Sequence, residues 1–213
     1  MAYTTVNKST DHFNTKLYTG NGSTNAITGV GFQPDFTWIK RRDGTYNHYW
    51  FDVPRTAGYY IKCNQTAAQA DGNPDHLTAW TSDGFSLGST DGVNATGDTF
   101  VSWNWKGGTT SGLSGGTITP SAYSINTTSK FGIYKYTGNG TSGATIAHGL
   151  GVAPKVLITK KISATGDWHV AHQYNSAYPW NSYLYLNSTD ATQEENSATW
   201  FLNDTAPDAT NIT

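Results

Sequence analysis

YTGNGSTNAITGVGFQPD (Tyr18–Asp35) and YTGNGTSGATIAHGLGVAPK (Tyr136–Lys155) stand in one chain of 213 residues. At an offset of about 118 to 120, Tyr18, Gly20, Asn21 and Gly22 fall on Tyr136, Gly138, Asn139 and Gly140. After a slip of two residues, Gly29-Val30-Gly31 meets Gly149-Leu150-Gly151 and Pro34 meets Pro154. FTWIKR (36–41) then overlies VLITKK (156–161), YIKCNQT (60–66) overlies YLYLNST (183–189) with Asn64 over Asn187, and Trp80 lands near Trp200. Such a period is too long for a solenoid repeat, so each copy is read as a domain.

Within the copies, apolar and aromatic residues alternate with period two. Phe36 and Trp38 share one face of DFTWIKR, with Thr37 and Ile39 on the other. In DTFVSWNWK, Val101, Trp103 and Trp105 oppose Phe100, Ser102 and Asn104, and in KFGIYKYTG, Phe131, Ile133 and Lys135 oppose Gly132, Tyr134 and Tyr136. The best helical candidate, NQTAAQADG (64–72), is short. The fold class is therefore all-β, with two tandem β-sandwiches of jelly-roll or concanavalin-like type expected. Asn21-Gly22 and Asn139-Gly140 predict two-residue hairpin turns.

The domain reading is an extended arm over 1–14, a first sandwich over 15–106, a Gly/Ser/Thr-rich linker over 107–129 and a second sandwich over 130–213. Ile118, Tyr123 and Ile125 allow the linker's second half to add a strand to a neighbour. In the first copy, TSDGFSLGSTDGVNATGDTFVSWNWK follows Trp80; in the second, FLNDTAPDATNIT reaches Thr213 where the last alternating run is due. About one or two strands' worth of sequence is thus expected from further chain or from another chain, because a sandwich without a ladder partner exposes an edge.

Composition limits the functions. Charged residues make up 13% of the chain, against about 25% in ordinary domains. The net charge is −2, and the brief basic run Lys40-Arg41-Arg42 meets a turn at once. Nucleic acid is therefore not an expected partner. Apolar runs fall short of the roughly 20 residues of a membrane helix, and MAYTTVNKST lacks the features of a signal peptide. The lone Cys63 excludes an internal disulfide and reads as a small buried side chain.

The sequence carries no catalytic signature of the GxSxG, HExxH or Walker type. Its acidic residues are sparse and mostly in turn contexts, with Asp43, Asp71, Asp83 and Asp91 each preceding Gly, where they stabilise turns, and the adjacent pair Glu194-Glu195 lies in a polar loop. His169 and His172, three apart on a strand, face opposite sides and do not suit one zinc ion. No cofactor, no metal and no catalytic residues are expected. A ligand site, if present, is predicted at Tyr46, His48, Tyr49 and Trp50 with Trp168 and His169, whose rings suit stacking on sugars.

MAYTTVNKSTDHFNTKLYTGNGSTNAITGVGFQPDFTWIK, SDGFSLGS, FVSWNWK, GLGVAPK and DWHVAHQ together resemble a tandem β-domain of virion proteins from tailed, particularly marine, bacteriophages, usually described as tail-fibre or structural proteins. The resemblance implies a non-enzymatic virion component: a tail fibre, an appendage or a capsid-decorating protein. Its partners would be other virion proteins and copies of itself, a trimer being the common fibre state, with host-receptor binding as a further role. Made in the host cytoplasm, it would need no signal peptide. A carbohydrate-binding adhesin engaging a host surface glycan is the alternative, with a polysaccharide-degrading enzyme behind it.

Overall fold

The alternating runs form antiparallel strands in the computed structural model, which describes residues 6–176, 180–194 and 202–213. The expected match of Trp80 with Trp200 and the pair Glu194-Glu195 each involve a position outside these residues. After a single turn at Ser9–Asp11 come β1 (Phe13–Thr19), β2 (Asn25–Ile27), β3 (Phe36–Arg41), β4 (Tyr49–Asp52), β5 (Tyr59–Lys62), β6 (Ala70–Asp71), β7 (Leu77–Thr81) and β8 (Gly84–Leu87). The short helix α1 (Asp91–Asn94) leads to β9 (Thr99–Trp105). One sheet runs β1-β9-β3-β4-β5-β6 and a second runs β2-β8-β7.

Both sheets contribute to one core. Ile39, Tyr49, Phe51 and Phe100 from the six-stranded sheet cluster with Ile27, Leu77, Phe85 and Leu87 from the three-stranded one. The alternation dictates this division: Phe100, Ser102 and Asn104 are fully buried, as are Thr37 and Ile39. The polar members of that face are satisfied within the sheet, since the Thr37 hydroxyl donates to Asn104 Oδ1 at 3.0 Å and Asn104 Nδ2 donates to the Asn14 carbonyl at 3.1 Å.

The rest of the chain builds β10 (Ala122–Asn126), β11 (Phe131–Lys135), β12 (Ile146–Ala147), β13 (Val156–Lys160), β14 (Trp168–His172), β15 (Ser182–Tyr185), β16 (Gln193–Glu194) and β17 (Asn211–Ile212). β13-β14-β15-β16 form a sheet, β10 pairs with β11, and β12 pairs with β17. β10 lies within the Gly/Ser/Thr-rich stretch 107–129. Its Ser124 hydroxyl donates to Asp35 Oδ1 at 2.9 Å, while Asp35 Oδ2 accepts the Gly107 N–H at 2.9 Å, so this connector is tied to the first copy.

The Asn-Gly turns correct an expectation. β1 pairs with β9 and β2 with β8, so the strands flanking Asn21-Gly22 lie in different sheets and the turn is a corner, not a hairpin. A type I′ turn needs positive φ at both central residues, yet of the two only Gly22 has it, at 66°. Asn21 instead accepts the Ser23 N–H on its side-chain oxygen at 2.9 Å. Asn139-Gly140 repeats the arrangement, with Gly140 at 72° and Asn139 accepting the Thr141 N–H at 2.9 Å. A second copied device is the lysine at the end of β3 and β13: Lys40 Nζ donates to the carbonyls of Arg41 and Gly44, and Lys160 Nζ to those of Lys161 and Ala164. No helix among the described residues is long and apolar enough to cross a membrane.

Candidate functional site

The outer face of the six-stranded sheet is a continuous aromatic surface, because β3, β4 and β9 each put their tryptophans on that side. Trp38 lies 5.5 Å from Trp50 and 5.2 Å from Trp103 between ring centroids, and Phe36 lies 5.0 Å from Trp50 and 5.1 Å from Trp105. The second copy covers part of it. Trp168, opening β14, meets Trp50 edge to face at 4.8 Å, and its Nε1–H donates to the carbonyls of Lys62 and Gln65 at 3.2 and 3.1 Å. Phe131 of β11 packs near Phe36 and Trp105 at 6.2 and 6.1 Å. Such pairs contribute about 0.5–1.5 kcal/mol each beyond the area they bury.

This geometry separates the six residues expected to stack on sugars. Trp50 and Trp168 do come together, but at 8% and 2% exposure neither ring keeps a face for a ligand. Tyr49 points to the opposite side of β4, into the core shared by the two sheets. His48 Nδ1 accepts the Trp38 indole N–H at 3.1 Å, and burial lowers its imidazole below the ordinary range. Tyr46 is exposed, with the Arg41 guanidinium 4.8 Å from its ring centroid. His169 packs against the rings of Tyr183 and Tyr185, at 5.0 and 5.3 Å between centroids, and burial lowers it too. The rings chosen for exposure are thus mainly packing residues, since a strand's alternation names its faces without saying which face is covered.

Beside the seam lies an open depression of about 460 Å³ lined by Asn64, Gln65, Thr66, Ala67, Thr165 and Asn187. Asn64 and Asn187, matched positions of the repeat, do matched work on its wall. Asn64 Oδ1 accepts the His48 N–H at 3.0 Å and its Nδ2 donates to Asn47 Oδ1 at 3.0 Å. Asn187 Oδ1 accepts the Trp168 N–H at 2.8 Å and its Nδ2 donates to Asp167 Oδ1 at 2.8 Å. The Thr66 carbonyl joins the halves, accepting the Gly166 N–H at 2.9 Å and Lys160 Nζ at 3.2 Å. An amide and hydroxyl lining of this kind hydrogen-bonds polyols, and it holds no nucleophile paired with a base. The alignment of Asn64 with Asn187 was its one trace in the sequence; their convergence was not.

Asp83 and Asp43 accept backbone N–H groups. Asp83 accepts the N–H groups of Gly29 and Gly31 at 2.8 and 2.7 Å, which holds it below the usual carboxylate range. Asp43 accepts from Arg41 Nε and from the Thr99 N–H, each at 2.7 Å, and is pulled down to about 2, the Arg41 hydrogen bond contributing most. Burial pushes the Cys63 thiol up to about 12, far from a reactive thiolate. Among the described residues, no group of three His, Cys, Asp or Glu side chains is placed to hold a metal ion.

These observations define an antiparallel all-β protein whose repeated halves meet through an aromatic seam. Residues 8–213 match the family described as a domain of unknown function (DUF7483), and the chain belongs to that family. No curated protein and no solved structure matches it.

Proposed function

We propose that the protein is a non-enzymatic structural component of a tailed-phage virion, in a tail fibre, an appendage or the capsid decoration, built as two tandem β-sandwiches and assembled with copies of itself, a trimer by preference. The observation that carries the reading is the seating of Trp168 against Trp50, a buried contact that joins the two copies as the units of an extended appendage need to be joined. The use of Asp43 and Asp83 in turns accords with a scaffold and not with a hydrolase. The test is mass spectrometry and immunogold labelling of gradient-purified phage particles. Stoichiometric presence on the particle surface supports the reading, and absence from the particle overturns it.

The amide-lined depression favours a second role on the same particle, binding a neutral host surface glycan. Gln65→Ala with Thr165→Ala is expected to lower retention on host polysaccharide at least tenfold with the circular dichroism spectrum unchanged. Undiminished retention would move the glycan site elsewhere.

A further inference from the structure

In the first copy, β9 lies between β1 and β3 and runs antiparallel to both, so that Phe13, Trp105 and Phe36 form one row, Thr15, Trp103 and Trp38 another, and Lys16, Ser102 and Ile39 a third. The counterparts of β1 and β3 are β11 and β13, from the overlay of Phe13 on Phe131 and of Phe36 on Val156. β17 pairs with β12 as β8 pairs with β2, so the repeat register reaches its β8 counterpart at Asn211–Ile212, and none of the described residues between 107 and 213 serves as a β9 counterpart. Among the described residues β11 pairs with β10 alone and β13 with β14 alone, leaving one edge of each without a strand.

The side chains bear the mark of that gap. Val156 and Ile158 are 48% and 45% exposed, whereas their counterparts Phe36 and Trp38 are partly buried against Trp105 and Trp103 of β9. Tyr136 is 43% exposed, whereas its counterpart Tyr18 stacks on Phe100 of β9 at 5.2 Å. The frame of the gap is nonetheless held. Lys130 Nζ donates to the Leu150 carbonyl at 3.0 Å and the Tyr134 hydroxyl to the His148 carbonyl, tying β11 to the corner before β13, much as Asn14 Nδ2 ties β1 to the Val30 carbonyl at 2.9 Å.

We propose that the gap between β11 and β13 is a strand-acceptor site. Its occupant is an extended segment with β9's alternation, supplied from outside residues 107–213 and running antiparallel to both neighbours. Main-chain hydrogen bonds to two open edges provide the attraction, and alternate side chains provide the selectivity. On the outer face the occupant carries apolar or aromatic residues that cover Val156 and Ile158. On the inner face it differs from β9 at one row: Leu157 stands where Thr37 pairs with Asn104, so an apolar residue replaces that asparagine. The site concerns the sheet alone and is independent of the particle reading.

The probe is a synthetic peptide of residues Asp98–Lys106 carrying Asn104→Val, added to the full chain. It is expected to bind saturably at one peptide per chain and to slow amide hydrogen exchange in β11 and β13 at least tenfold, with β1 and β3 unchanged. A scrambled peptide of the same composition is expected not to bind, and Ile158→Asp, at an exposed position, to weaken binding at least tenfold without altering the fold. The proposal is overturned if the peptide does not bind, if protection appears away from β11 and β13, if Ile158→Asp binds as well as the parent, or if the free protein already protects the β13 edge by pairing it with another copy.

Discussion

Asn94 illustrates how much one side chain carries in this fold. It is fully buried, donates to the carbonyls of Ser23 and Gly88 at 2.6 Å each, and accepts from the Asn21 N–H and from Asn25 Nδ2 at 3.1 and 2.9 Å. Asn94→Ala leaves the buried Gly88 carbonyl without its donor and is expected to cost about 1–3 kcal/mol, the range for one unmet buried group; urea denaturation measures it. Titratable residues give a second prediction. His48, His76 and His169 are lowered from the ordinary 6.5 chiefly by burial, so the folded state disfavours their protonation. Groups depressed in the folded state stabilise it above the unfolded value and lose that contribution as pH falls through the folded one. Asp43, Asp83 and Asp208 follow the same sign below the ordinary 3.8, Asp43 down to about 2. Thermal melts should therefore show Tm falling as pH drops below about 6.5, and falling again below about 4; a rise on acidification from 6.5 to 5 would contradict the assignment.

At the scale of elements, the close approach of β2 and β8 constrains one glycine. Gly84 opens β8 with φ of 150°, and a Cβ there would stand 2.0 Å from the Ile27 carbonyl oxygen of β2. Gly84→Ala must push the two strands apart, in a conformation that L residues rarely adopt, and is expected to destabilise by about 3 kcal/mol or more, at the upper end for single substitutions. Calorimetry checks this; a loss below about 1 kcal/mol would mean that β2 yields easily. The glycine was visible in the sequence only as half of an Asp-Gly turn. That its space is taken by a strand more than fifty residues earlier depends on the pairing of Ile27 with Phe85.

At the scale of the whole molecule, Trp168 is the link between the copies. Trp168→Ala removes a ring that is 2% exposed, together with its donations to Lys62 and Gln65, and is expected to cost about 3–5 kcal/mol. Because the loss falls on the contact between halves, calorimetry should show one cooperative transition in the parent split into two in the variant. A uniformly lowered single transition would mean that the remaining contacts, including the Gln69 N–H to Ile162 carbonyl bond at 3.0 Å, suffice to couple them.

The sequence by itself determined the all-β class, the repeat and the two faces of β3 and β9, because alternation is a local property and a strand cannot hide it. Only the tertiary structure decided which strands pair and which faces are covered. Phe100, Ser102 and Asn104 were separable from Val101, Trp103 and Trp105 on sight, but not the insertion of β9 between β1 and β3, some sixty to ninety residues away in the chain. The Asn-Gly corners mimicked hairpins because the same residues favour both turns, and strand partnership chooses between them. Trp50 and Trp168 looked like ligand platforms because a ring on a strand face is equally suited to sugar, solvent or another ring. Long-range burial, which no local pattern encodes, assigned them to each other.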